Sequence, residues 1–158
     1  MHPDVPGWTD WLLSRPWLFV ILFAAQWVLV SYLISLLSGW MELSRRFRDL
    51  GAYYSYQWPF QSVRMRTIFG SYSNCVNFGA DETGLYMAVF RPFRFGHAPL
   101  FIPWSEIQVD AHSQGLILKS RKLLLGRQEV IPLFVTSSLA AKFQEAAGQS
   151  WPVETIAT

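Results

Sequence analysis

The first feature of the hydrophobic pattern is an uninterrupted apolar segment near the N-terminus. Residues 16–41 contain no charged side chain, and Arg15 and Glu42 flank them. As a helix, residues 17–38 extend about 33 Å, which matches a hydrocarbon core of about 30 Å. Thirteen Leu, Ile, Phe or Val favour insertion by about 4 to 8 kcal/mol, more than Gln26 and three serines oppose it. The pattern predicts a transmembrane helix over residues 16–39, after a short tail at residues 1–15.

The ends of this segment carry the residues expected at the ends of a membrane span. Pro16 suits the first helical turn, and Gly39 suits the position just after the last one. Trp17 and Trp40 fall where the aromatic belts of the two membrane interfaces would lie. We therefore expect these two tryptophans to mark the two interfaces.

The flanking charges predict an orientation. Arg45, Arg46 and Arg48 follow the span, and basic residues prefer the cytoplasmic side of a membrane. A secretory signal peptide would have a shorter apolar region after a cationic start, whereas Asp4 and Asp10 precede this one. We expect an inner-membrane protein with its N-terminus outside and its C-terminal domain in the cytoplasm.

Small side chains recur on one face of the predicted span. Ser31, Ser35 and Ser38 lie four and three residues apart, and Ala24 and Val28 continue the same stripe. Small residues let helices approach closely, so the stripe predicts contact with a second copy or with the helices of a larger membrane complex. The alternative is that the serines hydrogen-bond to their own backbone.

Residues 40–50 predict a short amphipathic helix, followed by a connector up to residue 61. Trp40, Leu43, Phe47 and Leu50 recur at helical spacing, and the three arginines lie mostly off that stripe. The helix either rests on the membrane with its arginines near anionic headgroups or packs its apolar side on the following domain.

From Ser62 the pattern changes to short strands, which predict a mainly β domain over residues 62–147. Thr136 or Ser137 can cap a helix that runs to about Ala147, before a tail at residues 148–158. Pro132 argues for an edge or bulged position in the last strand. The seven predicted strands cover residues 62–69, 75–79, 85–90, 100–104, 107–112, 115–121 and 128–135, with the last two joined around residues 123–127.

This order resembles the pleckstrin-homology-like (PH-like) superfold, a bent antiparallel β-sandwich or partly open barrel of about seven strands with a C-terminal helix. The resemblance covers about residues 62–147. The segments GWMELSRRFR, VNFGADETGLYM and RFGHAPLFIPWSEI are similar to those of small bacterial single-pass membrane proteins with such a domain. This resemblance implies a fold and a location but no catalytic residue, since fold does not imply function.

The stretch FRPFRFGHAPLFIPW at residues 90–104 is the candidate binding segment. Arg91, Arg94 and His97 can form an anion site, because guanidinium groups fork onto phosphate or carboxylate oxygens. In a protein held at a membrane, the natural ligand of such a site is an anionic lipid headgroup. A protein contact surface is a further possibility.

A purely structural role is the alternative for this stretch. Phe93, Phe95 and Phe101 would then pack into the end of the sandwich. The two arginines would point to water or pair with an acidic residue, the candidates being Asp81, Glu82 and Glu106.

Composition and charge remove several classes of function. Only Arg15 of the thirteen basic residues and Asp4 and Asp10 of the eleven acidic ones precede residue 42, so the remainder carries a net charge of +3. This is too small to indicate nucleic-acid binding without a clustered basic patch. Cys75 is the only cysteine in the 158 residues, so no internal disulfide forms.

The sequence gives no sign of catalysis or of a cofactor. His2, His97 and His112 lack the spacing of metal ligands, and no phosphate-binding glycine loop or nucleophile elbow is present. A lone cysteine in a strand is usually a small buried hydrophobe. We expect a membrane-anchored, noncatalytic binding or scaffolding module. The alternative is an accessory structural subunit of a larger membrane complex.

Overall fold

The computed structural model describes residue 7 and residues 14–49, 57–66, 70–110 and 120–155. Some expectations concern residues outside this part of the chain. These are the first residues of the tail with His2, Leu50, most of the connector, residues 67–69, residues 111–119 with His112, and the last three residues.

Helix α1 (Pro16–Ser38) matches the predicted span. Pro16 occupies its first position, where a backbone N–H would have no partner within the helix, so its absence in proline costs no hydrogen bond. Gly39 ends it in a left-handed conformation, with φ of 83°. The most apolar 18 residues have a mean hydropathy of 2.2, and only 11% of them are buried, unlike the core helix of a soluble protein. The chain therefore has a helix long and apolar enough to cross a membrane.

Helix α2 (Trp40–Phe47) follows directly and packs against the domain. Trp40 and Leu43 belong to the main hydrophobic core, and Phe47 is half-buried against it. Arg45, Arg46 and Arg48 are exposed. Of the two interpretations of this amphipathic helix, the structure therefore shows the one in which its apolar side covers the domain.

In the described residues, the domain is one curled sheet with seven antiparallel strands, as expected. The strand order is β4-β3-β2-β1-β7-β6-β5, and a short eighth strand pairs in parallel with β5. β4 and β5 lie at or next to the two opposite edges of the sheet, and they are joined by a single 3₁₀ turn (Trp104–Glu106). This short connection brings the two edges together, so the sheet curls into a nearly closed barrel. The strands are β1 Trp58–Met65, β2 Ser71–Ala80, β3 Gly84–Val89, β4 Leu100–Pro103, β5 Ile107–Asp110, β6 Ser120–Leu125, β7 Ile131–Thr136 and β8 Glu154–Thr155.

Helix α3 (Ser137–Ala147) packs on the barrel, as predicted. The Thr136 side chain caps it by accepting a hydrogen bond from the Leu139 N–H at 3.3 Å. Phe143 is fully buried, with its ring 5.3 Å from that of Phe78 and 5.4 Å from that of Trp58. Aromatic packing of this kind stabilises a core beyond the area that it buries.

Several details of the strands differ from the prediction. β2 begins at Ser71 and β7 at Ile131, whereas the predicted starts are residues 75 and 128. β1 begins at Trp58, before the predicted start at Ser62. Leu123 and Leu125 were assigned to a connection, but both are fully buried in β6, and the turn follows at Gly126. β7 lies between β1 and β6 rather than at an edge. Pro132 is tolerated there because it lies just beyond the last pair of the β1–β7 ladder, Met65 with Leu133.

Candidate functional site at the helix–loop junction

The aromatic loop, residues 90–99, connects β3 to β4 and contains a 3₁₀ turn at Arg91–Phe93. Phe93 and Phe95 do not pack into the end of the barrel, because both rings are exposed. Phe101, just after the loop, is half-buried and stacks on Tyr86 with ring centroids 4.6 Å apart. The predicted packing into the end of the barrel is therefore not seen for Phe93 and Phe95, and Phe101 stacks on Tyr86 outside the main hydrophobic core.

The aromatic loop lies along the C-terminal half of α1 and is held there by hydrogen bonds. Three side chains from α1 and the start of α2 donate to carbonyl oxygens of the loop. These bonds join Trp27 Nε1 to the Pro92 oxygen at 3.0 Å, Ser35 Oγ to the Gly96 oxygen, and Trp40 Nε1 to the Ala98 oxygen at 2.8 Å. The Trp27 and Phe93 rings also pack together, with centroids 4.9 Å apart. The helix and the domain are thus joined by side chains as well as by the chain itself.

The serine stripe faces this junction. Ser31, Ser35 and Ser38 are the buried residues of α1. The small side chains allow close approach, as predicted, but the partner is a loop of the same chain. Gly96 reaches the helix because it lacks a side chain: a Cβ there would lie 3.2 Å from the Ser35 Cβ and 3.2 Å from the Tyr32 ring. This face is therefore covered in the monomer and is not open to another helix.

Three buried polar side chains form the junction network, which links helix, sheet and loop. The hydroxyls of Ser38 and Tyr72 lie 2.7 Å apart, and the Tyr72 hydroxyl lies 2.9 Å from His97 Nε2. His97 Nδ1 lies 3.0 Å from the Phe95 oxygen, which can only accept a hydrogen bond. In a neutral imidazole, Nδ1 therefore carries the proton and Tyr72 donates to Nε2, which leaves the Tyr72 oxygen as the acceptor for Ser38. The Ser38 hydroxyl also lies 3.3 Å from the Ser35 carbonyl oxygen of its own helix, a second acceptor for the same proton.

The environment of the junction network keeps its groups uncharged. Burial lowers the pKa of His97, although its hydrogen bonds to backbone oxygens oppose this shift. Burial also raises the pKa of the Tyr72 hydroxyl. His97 is only 2% exposed, so it does not join Arg91 and Arg94 in a surface anion site. Of the three residues predicted to bind an anion, the histidine has a structural role instead.

Arg91 and Arg94 lie at the exposed side of the aromatic loop. Neither forms an ion pair with Asp81, Glu82 or Glu106 in the part of the chain that the structure describes. Asp81 instead binds Thr83 and Gly84 within its own turn, and Glu106 accepts a hydrogen bond from the Arg127 N–H. Two guanidinium groups are thus presented beside exposed aromatic rings.

A cavity of about 240 Å³ lies between α1, β2 and the aromatic loop, lined mostly by apolar surface. Cys75 forms part of its wall, and burial raises the pKa of this thiol. A thiol with a raised pKa is a poor nucleophile, since the thiolate is the reactive form. Among the described residues, no group of three or more His, Cys, Asp or Glu is placed to hold a metal ion.

A second concave surface, the distal groove, lies at the other end of the domain. It has a volume of about 670 Å³ and contains the packed rings of Trp104 and Trp151, with Glu82 and Arg127 on its walls. Glu82 belongs to the turn before β3, whereas the aromatic loop follows β3. Since β3 has six residues, the two surfaces lie roughly 20 Å apart along the barrel.

The residues predicted to mark the membrane interfaces have different environments. Trp17 is exposed on α1, as a lipid-facing residue would be. Trp40 is fully buried in the domain and contacts the ring of Tyr72 at 5.7 Å. Trp40 thus packs inside the protein and is not available to an aromatic belt. Arg46 donates a hydrogen bond to the Gln128 side chain at 2.8 Å, which fastens α2 to the turn between β6 and β7.

Comparisons of the chain with protein-family models, with curated proteins and with solved structures found no match.

Two residues that build the junction were missed by the sequence analysis. Trp27 lies in the middle of an apolar helix, and Tyr72 lies in a strand of ordinary polarity. Their partners Pro92 and His97 are 65 and 25 residues away in the chain. The one available signal was the polar atom that each carries, since a tryptophan or tyrosine in an apolar environment usually needs a hydrogen-bond partner.

Proposed function

We propose that the protein is a single-span membrane protein that holds a noncatalytic PH-like binding domain against the cytoplasmic surface of the inner membrane. The observation that carries the proposal is the hydrogen-bonded contact between α1 and the aromatic loop. The exposed apolar side chains of α1 need lipid as their solvent. Because the domain is fastened to this helix by side chains, it keeps a fixed position relative to the bilayer.

This contact also argues against the alternative that the apolar segment is a signal peptide removed after secretion. Cleavage would take away Trp27, Ser35 and Ser38, and with them the donors to Pro92, Gly96 and Tyr72. Without the helix, the Gly96 carbonyl and the Tyr72 hydroxyl would lose the partners that they have in the folded chain, and water would have to replace them. A domain built to lose this helix would not depend on it for its hydrogen bonds.

The domain offers two surfaces for binding. Arg91 and Arg94 stand near the membrane, where anionic lipid phosphates are the nearest abundant ligands. The distal groove points away from α1 and is the place for a cytoplasmic partner. A tethered domain needs little intrinsic affinity, because confinement raises the effective concentration of whatever else is held at the membrane.

Extraction and sizing test the proposal. We expect the full-length protein to remain in the membrane after a carbonate wash and to migrate as a small particle after mild-detergent extraction. Release into the supernatant would refute the membrane span. Migration as a defined larger complex would instead favour the role of an accessory subunit.

A reporter fused after Thr158 tests the orientation. The arginines of α2 predict that a reporter active only in the cytoplasm will be active, and that a periplasmic reporter at the same position will not. The reverse result would place the domain on the outer side of the membrane.

A further inference from the structure

The aromatic loop lies at the same depth as the lipid-facing part of α1. Pro92 is bonded to Trp27, and Ala98 is bonded to Trp40, so the loop follows the helix for about thirteen residues, or roughly 20 Å. Over this length, the faces of α1 that the loop does not cover expose Leu29, Leu33, Leu36 and Leu37. Lipid that surrounds these leucines also meets the loop beside them.

Most backbone carbonyls of the loop accept hydrogen bonds from within the protein, as an apolar environment requires. Irregular backbone is tolerated at membrane depth only where its polar groups are satisfied within the protein. Apart from the three carbonyls bound by Trp27, Ser35 and Trp40, internal bonds join the N–H groups of Phe93, Arg94 and His97 to earlier carbonyls of the loop. The Pro99 oxygen accepts from the Asp49 N–H at 2.9 Å, and the Phe95 oxygen accepts from His97.

The outer surface of the loop is aromatic. Phe90, Phe93 and Phe95, with Phe60 of β1, are each 36 to 53% exposed. Phe60 has a positive φ of 54°, which is rare for a bulky residue, at a register shift in the β1–β2 ladder. Its N–H is held by the Asn77 side chain at 3.0 Å, and its ring lies 5.4 Å from that of Phe90. Local backbone strain thus accompanies the outward placement of a fourth phenylalanine beside the loop.

We propose that the aromatic loop and Phe60 are embedded in the membrane leaflet next to α1, with the phenylalanine rings among the acyl chains. Because Pro92 lies at the level of Trp27 in the middle of α1, the bilayer thins locally so that lipid phosphates and water meet Arg91 and Arg94. Long guanidinium side chains place their charge at the interface while their stems remain in apolar surroundings. The partner of this surface is the bilayer itself. The inference rests on the proposed membrane span and adds that the domain penetrates the leaflet.

Site-directed spin labelling tests this depth, and the chain suits the method because it has a single cysteine. In a Cys75→Ala background, full-length protein in vesicles of phosphatidylcholine and phosphatidylglycerol is labelled at one introduced cysteine at a time. Phe95→Cys and Phe60→Cys report on the proposed surface. Leu29→Cys is the reference in the span, and Glu82→Cys is the reference at the distal turn; all four positions are exposed. Collisions with oxygen and with a water-soluble nickel chelate measure the depth of each label.

We expect the Phe95 and Phe60 labels to resemble the Leu29 label, with high oxygen accessibility and little contact with the nickel chelate. The Glu82 label should show the opposite. If the Leu29 label is immersed but the label at Phe95 or Phe60 meets the chelate as freely as the one at Glu82, the embedded loop is refuted and the span stands. If the Leu29 label is also in water, the proposed span fails, and the embedded loop fails with it.

Discussion

His97 shows how one side chain changes its role between sequence and structure. As a residue that follows two arginines it resembles part of an anion site, but its ring is turned inward between Tyr72 and the Phe95 carbonyl. Residue type alone could not reveal this, because the direction of the ring depends on a tyrosine from another strand. Arg91 and Arg94 keep the exposure that the sequence predicted.

The lowered pKa of His97 predicts a pH dependence of stability. Its folded-state pKa lies below the ordinary histidine value of 6.5, so the unfolded chain binds the additional proton first as the pH falls. The contribution of His97 is therefore complete above about pH 6.5 and declines as the pH drops below this value toward the lowered folded-state pKa. Thermal unfolding in detergent between pH 8 and pH 5 should show a falling midpoint.

The control for this prediction is His97→Gln, which has no titrating ring. We expect it to be less stable than the wild type at pH 8 because the junction network is disturbed. The difference should shrink as the pH falls, since only the wild type loses stability through this residue. Parallel curves for the two proteins would show that His97 is not the titrating group.

At the scale of elements, the helices were predictable and the ends of several strands were not. α1 follows from the absence of charge between Arg15 and Glu42, and α3 follows from the Thr136 cap, since both signals are local. The end of β6 was missed because Leu123, Leu124 and Leu125 form an apolar run without alternation, in which periodicity does not distinguish strand from connection. The contact between the serine stripe and the loop was also missed, since it joins segments 61 residues apart.

Gly39 fixes the angle between α1 and α2, and its replacement should be costly. Its φ is 83°, and a Cβ there would lie 2.8 Å from the Ile131 Cδ1. We expect Gly39→Ala to lower the free energy of unfolding by about 1 to 3 kcal/mol, from backbone strain and from the clash together. Denaturant unfolding in detergent measures this loss.

Ile131→Val separates the two causes because it removes the clashing methyl group. By itself it should cost about 0.5 to 1.5 kcal/mol. In its presence, Gly39→Ala should cost less than in the wild type, because the closest contact is gone and the backbone strain is the main cost that is left. Strictly additive costs would mean that the clash with Ile131 has no part in the effect.

At the scale of the whole molecule, one apolar helix and one curled sheet share a single junction. The architecture followed from one change of pattern in the sequence, from continuous apolar residues to short strands. The docking of one part on the other did not, because it depends on a few polar atoms that find partners across the fold. The distal groove likewise combines the β2–β3 turn with the segment after α3, which no local pattern brings together.

The charge of the aromatic loop predicts a preference for anionic lipid. A basic residue near an anionic surface contributes about 1 kcal/mol, which is roughly a fivefold change in affinity. Full-length protein in neutral detergent should bind short-chain phosphatidylglycerol more tightly than phosphatidylcholine at low salt, as followed by native mass spectrometry. Arg94→Glu should reduce this preference by about fivefold or more.

Lys142→Glu is the matched control, because it makes the same change of charge on the exposed face of α3. We expect it to leave the lipid preference nearly unchanged. Equal losses for the two variants would attribute the preference to net charge and not to the loop.

The hydrogen bonds between α1 and the aromatic loop also determine what a shortened protein can report. A fragment that starts after Gly39 keeps every strand of the barrel but loses the donors to Pro92 and Gly96 and the hydroxyl beside Tyr72. Water would enter the junction, and the phenylalanines of the aromatic loop would form an exposed hydrophobic surface prone to self-association. Ligand screening, crystallisation and partner capture therefore require the intact chain in a lipid or detergent environment.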